Sequence, residues 1–460
     1  MKRRLAEHSI LFFSVLKWVA LATAIGVIVG ASTTVFLKSL QWSITVASAH
    51  SYFFLSLPVA LFLSVAIVKY LAPDAEGHGT EKVIEAIHKH SGKIKAIVVP
   101  VKLVATVVTL AAGGSVGKEG PCAQIGGGLA SVFASLLKFD DLDRKKLVIC
   151  GISAGFASVF GTPIAGAIFG VEVLFVGSIL YDVLLPSFIS GIMAYQISSA
   201  FGVAYFHQPI DFVPVFSEAF LLKVIFAGII FGLCSVFLIE MLSFGEKISA
   251  KLRIWAPWKG AIGGLVLIAL TFIFSAQYLG LGLDTIESSL HGDKVVWYAF
   301  IAKVIFTSVT LSFGGSGGIV TPIFFIGATS GSLFAQILKL DLATFSAIGL
   351  ASLLAGAANA PIAASIMSVE LFGPQIAPYA ALACVISFLM TGYRSVYPSQ
   401  VLAVKKSAYI RVALGKEMEE IAATMRPRHK ALSRGILGAV RTIKRRWKNK
   451  KANHFDENER

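Results

Sequence analysis

Apolar positions fall in long runs along this chain. Residues 11–37, 52–68, 97–112, 147–176, 220–242, 261–274 and 376–390 are almost wholly hydrophobic. Several reach the roughly 20 residues that a helix needs to cross a bilayer core. Others are shorter or broken by glycine and proline. Breaks at membrane depth are tolerated only where protein or a water-filled cavity covers the freed backbone groups. The pattern therefore predicts a large polytopic helical bundle rather than a few simple spans. The first run follows Met1-Lys2-Arg3-Arg4 and is too long for a signal-peptide core, so it reads as a retained helix.

Polar breaks punctuate the runs. Residues 73–95 carry Glu76, Glu81, Glu85, His88, Lys89 and His90, and predict an amphipathic helix or a loop. Asp140-Asp141-Leu142-Asp143 suits the start of the helix that follows. Gln208-Pro209-Ile210-Asp211 reads as a link, and Trp255-Ala256-Pro257-Trp258-Lys259 as an interfacial anchor. These breaks divide the chain into a first half over 1–208, a second over 209–424, and a basic tail over 425–460.

The halves echo each other. Gly113-Gly114-Ser115-Val116-Gly117-Lys118-Glu119-Gly120-Pro121 and Gly314-Gly315-Ser316-Gly317-Gly318-Ile319-Val320-Thr321-Pro322 share the frame GGS-x-G-x-x-x-P at an offset of 201. Thr162-Pro163-Ile164-Ala165 leads to Val171-Glu172, as Ala360-Pro361-Ile362-Ala363 leads to Val369-Glu370. Two glycine-broken apolar halves point to a repeat-built transport protein with its site between them.

Composition agrees. The chain is 56% hydrophobic and 15% charged, unlike a soluble domain of 460 residues. Much of the net charge of +15 lies in residues 426–460, which hold twelve Lys/Arg and three Asp/Glu. A basic segment after the last span is what the positive-inside rule places in the cytoplasm, near anionic lipid, and nucleic-acid binding is not expected. The basic N-terminus belongs on the same side. Two like halves with both ends inside are either inverted or parallel copies, and the residues leave both open. Cys122, Cys150, Cys234 and Cys384 are scattered and read as small buried hydrophobes. No metal-ligand cluster, nucleophile elbow or phosphate loop is visible; Gly117-Lys118 fails the P-loop pattern because Ala112 and Glu119 stand where glycine and Ser/Thr belong. Neither an enzyme nor a metal or other cofactor is expected.

Glu119 is the most informative side chain. A carboxylate between apolar runs is unfavourable unless it lines a pathway or is paired. Gly120 and Pro121 suit a helix start, whose free N–H groups and dipole attract anions. Glu119, itself an anion, can occupy the place a substrate anion would take, and its protonation would open that place. The blander readings are a carboxylate stabilising its own helix and an ion pair with Lys118.

Gly117-Lys118-Glu119-Gly120-Pro121 resembles the G-(K/R)-E-G-P signature of the CLC chloride channels and antiporters. Gly318-Ile319-Val320-Thr321-Pro322 resembles that family's G-x-F-x-P segment, with Val320 in the Phe place. Tyr397 in Ser395-Val396-Tyr397-Pro398 matches the pore tyrosine near the start of the last membrane helix. The resemblance spans about residues 15–410. It implies an all-α membrane fold, an inverted-repeat bundle of about eighteen tilted and broken helices, and a homodimer with a pore in each subunit. It further implies Glu119 as gate, and anion binding at Gly77, His78, Gly79, Thr80, Lys118, Gly120, Pro121, Gly318, Ile319, Val320 and Tyr397.

Two departures stand out. The family's G-S-G-I-P segment reads Gly77-His78-Gly79-Thr80-Glu81, so His78 replaces the pore serine. Histidine can donate from a ring nitrogen or carry a charge, which bears on selectivity and pH dependence; alternatively His78 swings out and the Gly79 and Thr80 amides bind the anion. Proton-coupled members often place a glutamate where Val173 stands. Its neighbour Glu172 lies about 100° around the helix and has a twin in Glu370, which favours a structural role. The expectation is a chloride or small-anion channel gated by Glu119. A chloride/proton antiporter, or a carrier of fluoride, nitrate or bicarbonate, is the alternative. Partners would be small anions, protons, membrane lipid and a second copy of the chain, in a bacterial-type plasma membrane, since no folded cytosolic module is expected after residue 425.

The remaining features read as structural. Lys102, Lys223 and Lys303 near the starts of apolar runs would snorkel to the interface. Gly126-Gly127-Gly128 would allow close helix packing, and Phe324 and Phe325 would pack.

Overall fold

The computed structural model describes residues 2–210, 217–421 and 424–425. The basic tail beyond Met425 and most of the link after Ile210 lie outside the described residues. Eight α-helices precede the link: α1 Lys2–Ser48, α2 Leu57–Leu71, α3 Thr80–Lys89, α4 Val98–Ala111, α5 Glu119–Leu136, α6 Asp141–Phe160, α7 Pro163–Glu172 and α8 Tyr181–Ala200. Eight follow it: α9 Glu218–Lys251, α10 Ala256–Ile273, α11 Leu283–Leu290, α12 Ala299–Ser312, α13 Val320–Leu338, α14 Leu342–Ala358, α15 Pro361–Phe372 and α16 Ala377–Thr391. The sixteen α-helices of the described residues compare with about eighteen expected.

Local chemistry sets the boundaries. Asp140 caps α6, its carboxylate accepting from the Asp143 N–H at 2.8 Å. The apolar run 147–176 becomes two helices, because Pro163 favours a first turn and cannot continue α6. Residues 73–95 yield α3, whose buried side is Val83, Ile84, Ala86 and Ile87. Among the described residues, seven helices are long and apolar enough to cross a membrane. Two of them, α8 and α13, fall outside the runs read from sequence, because serines, threonines and glycines dilute them to mean hydropathies of 1.3 and 1.4.

The core lies where α5 packs on α6 and α13 on α14. A side chain on Gly126 would meet the Gly151 carbonyl oxygen at 2.2 Å, so this glycine run serves close packing, as expected. Outward faces of α1, α9 and α10 show large apolar side chains, such as Phe12, Phe13, Leu222 and Phe272, as lipid contact requires.

The contacts between the helices before and after the link are reciprocal. Ser115 N–H donates to Thr310 Oγ1 at 3.1 Å, and Ser316 N–H to Thr109 Oγ1 at 3.2 Å. Gly117 and Gly318 exchange both backbone hydrogen bonds, each 2.7 Å, as an antiparallel bridge. All these residues are related by the sequence offset of 201. Equivalent residues meet each other, so a two-fold relation runs through the GGS frames.

Two expectations fail. Lys102 and Lys303 do not snorkel; both are fully buried. Lys102 Nζ donates to the carbonyls of Ala75 (3.1 Å) and Gly77 (2.6 Å). Lys303 Nζ donates to Tyr278 (3.2 Å) and Gly280 (2.8 Å). Each ties down the loop that feeds a short helix, α3 or α11, and these carbonyls supply the partners that a buried ammonium needs. The second failure concerns Tyr397, which does not open a helix. Residues 392–400 run as irregular chain, held by Pro398 and by the parallel pairing of Val401–Leu402 with Phe175–Val176.

Candidate functional site

Three helix starts converge on the Gly117–Gly318 bridge. The tip of α3 touches that of α5: a Cβ on Gly120 would stand 2.0 Å from the His78 carbonyl oxygen, and one on Gly79 2.3 Å from the Gly120 carbonyl oxygen. The tip of α13 touches the same place, since a Cβ on Gly318 would meet the Gly120 nitrogen at 2.7 Å. Only glycine permits backbones this close. Gly120→Ala is therefore expected to destabilise the protein by at least about 3 kcal/mol, the upper end for overpacking. Yield of monodisperse protein and anion flux report it; a well-folded variant with unchanged flux would mean the tips are not in contact.

Glu119 opens α5 but serves α13. Its carboxylate is 1% exposed. Oε2 accepts from the Thr321 N–H at 3.1 Å, and Oε1 from the Thr321 hydroxyl. The side chain from one GGS frame thus sits on the free N-terminal amide of the helix in the other, where the dipole favours negative charge. The hydrogen bonds from Thr321 tie the carboxylate to the opposite helix, which neither blander reading provides, and Lys118 adds positive charge beside it. Lys118 is half-buried at the rim of a cavity of about 450 Å³, lined also by Glu119, Phe160, Tyr205, Thr321 and Phe324. Phe324 is thus a wall of this cavity as well as a packing residue.

A second cavity, about 550 Å³, is lined by His78, Glu81, Glu246, Ser395, Ser399 and Glu419 among others. The two cavities share none of their lining residues. Glu119 fronts one and His78 the other. An arrangement of positively polarised helix tips, closed on one side by a carboxylate, can hold a small anion and exchange it for that carboxylate.

The family model described as voltage gated chloride channel matches residues 59–392. The chain belongs to the CLC family. A chloride/fluoride channel protein of Pseudomonas syringae pv. tomato is 36% identical over 406 residues, covering 87% of this chain and 89% of the relative. The crystal structure of a CLC-type fluoride/proton antiporter aligns with a TM-score of 0.81 at 27% identity, covering 85% of this chain and 98% of that one. A slow cyanobacterial Cl−/H+ antiporter, 21% identical over 81% of this chain and 94% of its own, shares the fold with a TM-score of 0.71. The protein is an integral membrane protein of CLC-type anion transport, not an enzyme, and it has bacterial relatives.

Within the CLC frame, some expected anion donors are already engaged. The Gly318 N–H is committed to Gly117, and the Thr80 N–H donates to the His78 carbonyl at 3.0 Å. The amides of Gly79, Ile319 and Val320 are not committed to backbone carbonyls among the described residues. Pro121, third residue of α5, has no N–H to offer and shapes the first turn. His78 is half-buried, and its side chain lines the second cavity.

Tyr397 is fully buried, and its hydroxyl makes no hydrogen bond of good geometry. It lies beside Thr80 and within electrostatic reach of both Glu119 and Glu81. An orphaned phenol at a convergence of helix tips suits an anion. Gln400 positions this segment, donating to the carbonyls of Val173 (2.7 Å) and Ala358 (2.8 Å) and accepting from Ser395 and Asn359. Nothing in the spacing marks Gln400.

Val173 is fully buried and carries no titratable group. Glu172 accepts from the N–H groups of Ile362 (3.0 Å) and Ala363 (2.7 Å) at the start of α15. Glu370 accepts from Ile164 (3.0 Å) and Ala165 (2.8 Å) at the start of α7. The twin glutamates cap each other's helices, a structural role.

Proposed function

We propose that this protein is a homodimeric carrier that exchanges a small anion, fluoride first among them, against protons. Residues 1–208 and 209–424 form its inverted halves, and Glu119 is its gate. The observation that carries the reading is the Glu119 carboxylate seated on the Thr321 amide. An anion reaching that amide must displace the carboxylate, and a proton on Glu119 makes displacement easy. Anion movement and protonation are then linked at one atom pair. The anion would be bound by the amides of Gly79, Ile319 and Val320 and by the Tyr397 hydroxyl, with Lys118 adding positive potential at one mouth and His78 facing the other.

The chloride channel expected from sequence is the less supported reading. The 36% identical relative is named a chloride/fluoride channel protein, and the 27% identical structure is titled a fluoride/proton antiporter. His78 in the serine place supports a selectivity other than that of serine-bearing members. A passive channel is kept as the second reading because Val173 offers no proton relay.

The positive-inside rule sends the C-terminal tail to the cytoplasm, which makes the cavity bordered by Glu419 the inner one and that of Glu119 the outer. Purified protein in liposomes tests the proposal. An imposed fluoride gradient should drive protons uphill, and chloride should move at least about tenfold more slowly, about 1.4 kcal/mol of discrimination. Fluoride flux without proton movement would favour the channel; chloride at an equal rate would remove the selectivity.

A further inference from the structure

One half-buried carboxylate has no task in gating or anion binding. Glu81, second residue of α3, turns Oε1 to Ser399, accepting from its N–H at 2.9 Å and from its hydroxyl. Oε2 is buried without a hydrogen-bond partner. A buried carboxylate oxygen is strongly destabilising when it faces no donor, unless the group takes a proton. The tether places Glu81 two residues from Tyr397 in one chain segment and three from His78 in its own.

Among the described residues, the lysines and the arginine that line its cavity are all paired. In the inner cavity Lys82 pairs with Glu85 at 2.9 Å, Lys89 with Glu417 at 2.9 Å and Arg394 with Glu240 at 2.7 Å. Lys102 faces the His78 loop and is held by two carbonyls. Beyond these pairs, Glu246 on α9 and Glu419 beyond the Tyr397 segment add negative potential to the same cavity. With Glu81 they leave the described lining net negative, which favours protons over anions there. His78 lines the same cavity. Glu172, beside Val173, is committed to two backbone amides.

We infer that Glu81 is the inner proton-binding group: it takes a proton from water in the His78 cavity onto Oε2 and delivers it, past Tyr397, to the Glu119 carboxylate. The transfer needs no other reactant, since Glu81 loses the proton that Glu119 gains. It supplies the relay that Val173 cannot. This rests on the proton-coupled reading above.

Glu81→Gln is the test, because its amide oxygen still accepts from Ser399 and keeps the tether. In liposomes with a fluoride gradient, Glu81→Gln should keep anion flux within a few-fold of wild type while proton uptake falls at least about tenfold. Glu81→Asp should retain coupling in part. Coupling intact in Glu81→Gln overturns the inference and leaves the proposed function standing. Loss of anion and proton flux together in both variants makes Glu81 a tether and overturns it too. Wild-type protein that moves fluoride without protons overturns the proton-coupled reading itself, and this inference with it. Should Glu81→Gln not fold, pH-difference infrared spectra decide between wild type and Glu81→Asp. A carboxylic-acid band that shifts supports proton uptake at this position, and one that does not move overturns it.

Discussion

Glu119→Gln is expected to lose uphill proton movement and to conduct anions independently of external pH. In the wild type the carboxylate holds the Thr321 amide and hydroxyl by charge-assisted hydrogen bonds, worth about 1.5–3 kcal/mol each, against about 0.5–1.5 for neutral ones. The dipole of α13 adds to the charged form only. An amide in its place weakens the closed state by about 2 kcal/mol, roughly 30-fold in the closed-to-open ratio. The sign follows from what protonation does. Lowering external pH neutralises Glu119, releases it from the α13 tip and raises anion flux in the wild type. The glutamine variant should stay near the wild type's acid-side flux between about pH 5 and 8. Flux measured with an anion-selective electrode, alongside external pH, checks both halves of the claim. A variant that keeps the wild-type pH profile would mean that another group gates.

Much of the proposed gate is legible in the chain itself. The 201-residue offset locates the two frames that meet at Gly117 and Gly318, and a carboxylate between apolar runs singles out Glu119. Gly120 and Pro121 put that carboxylate near a helix start without saying which helix it serves. It lands on the opposite half, because a two-fold relation brings equivalent loops together, and a repeat read as a string has no geometry. Asp140 is readable as a cap because its partner lies three residues away. Lys102 and Lys303 mislead for the converse reason. Their partners are loop carbonyls 23 to 27 residues distant, and a lysine without a visible acid is assigned to the surface by default. Glu81 hides inside an altered motif, since its partner Ser399 lies 318 residues away. The Tyr397 segment matches a motif, but the motif carries no information on whether a helix follows. Here the strand-like pairing with residues 175–176 wins.

Glu172→Ala is expected to cost about 3–6 kcal/mol of stability while leaving the proton-to-anion ratio unchanged. Two N–H groups at the first turn of α15 lose a shared charged acceptor, each bond being worth about 1.5–3 kcal/mol. Glu172 is 5% exposed, so water does not replace it. Its twin Glu370 is only half-buried, and Glu370→Ala should therefore destabilise less, although it makes the equivalent pair of bonds. The asymmetry separates burial from geometry as the cause. Glu172→Gln retains one amide oxygen and should recover part of the loss. Thermal unfolding of the purified protein gives the stabilities, and liposome flux of the folded fraction gives the ratio. A relay residue would behave in the opposite way, losing proton coupling with stability intact. That outcome would return the proton path to the α7 position beside Val173 and leave Glu81 as a simple anchor for Ser399. The predicted outcome keeps the inner cavity as the proposed proton entrance, because both carboxylate oxygens of Glu172 are already engaged by the N–H groups at the start of α15.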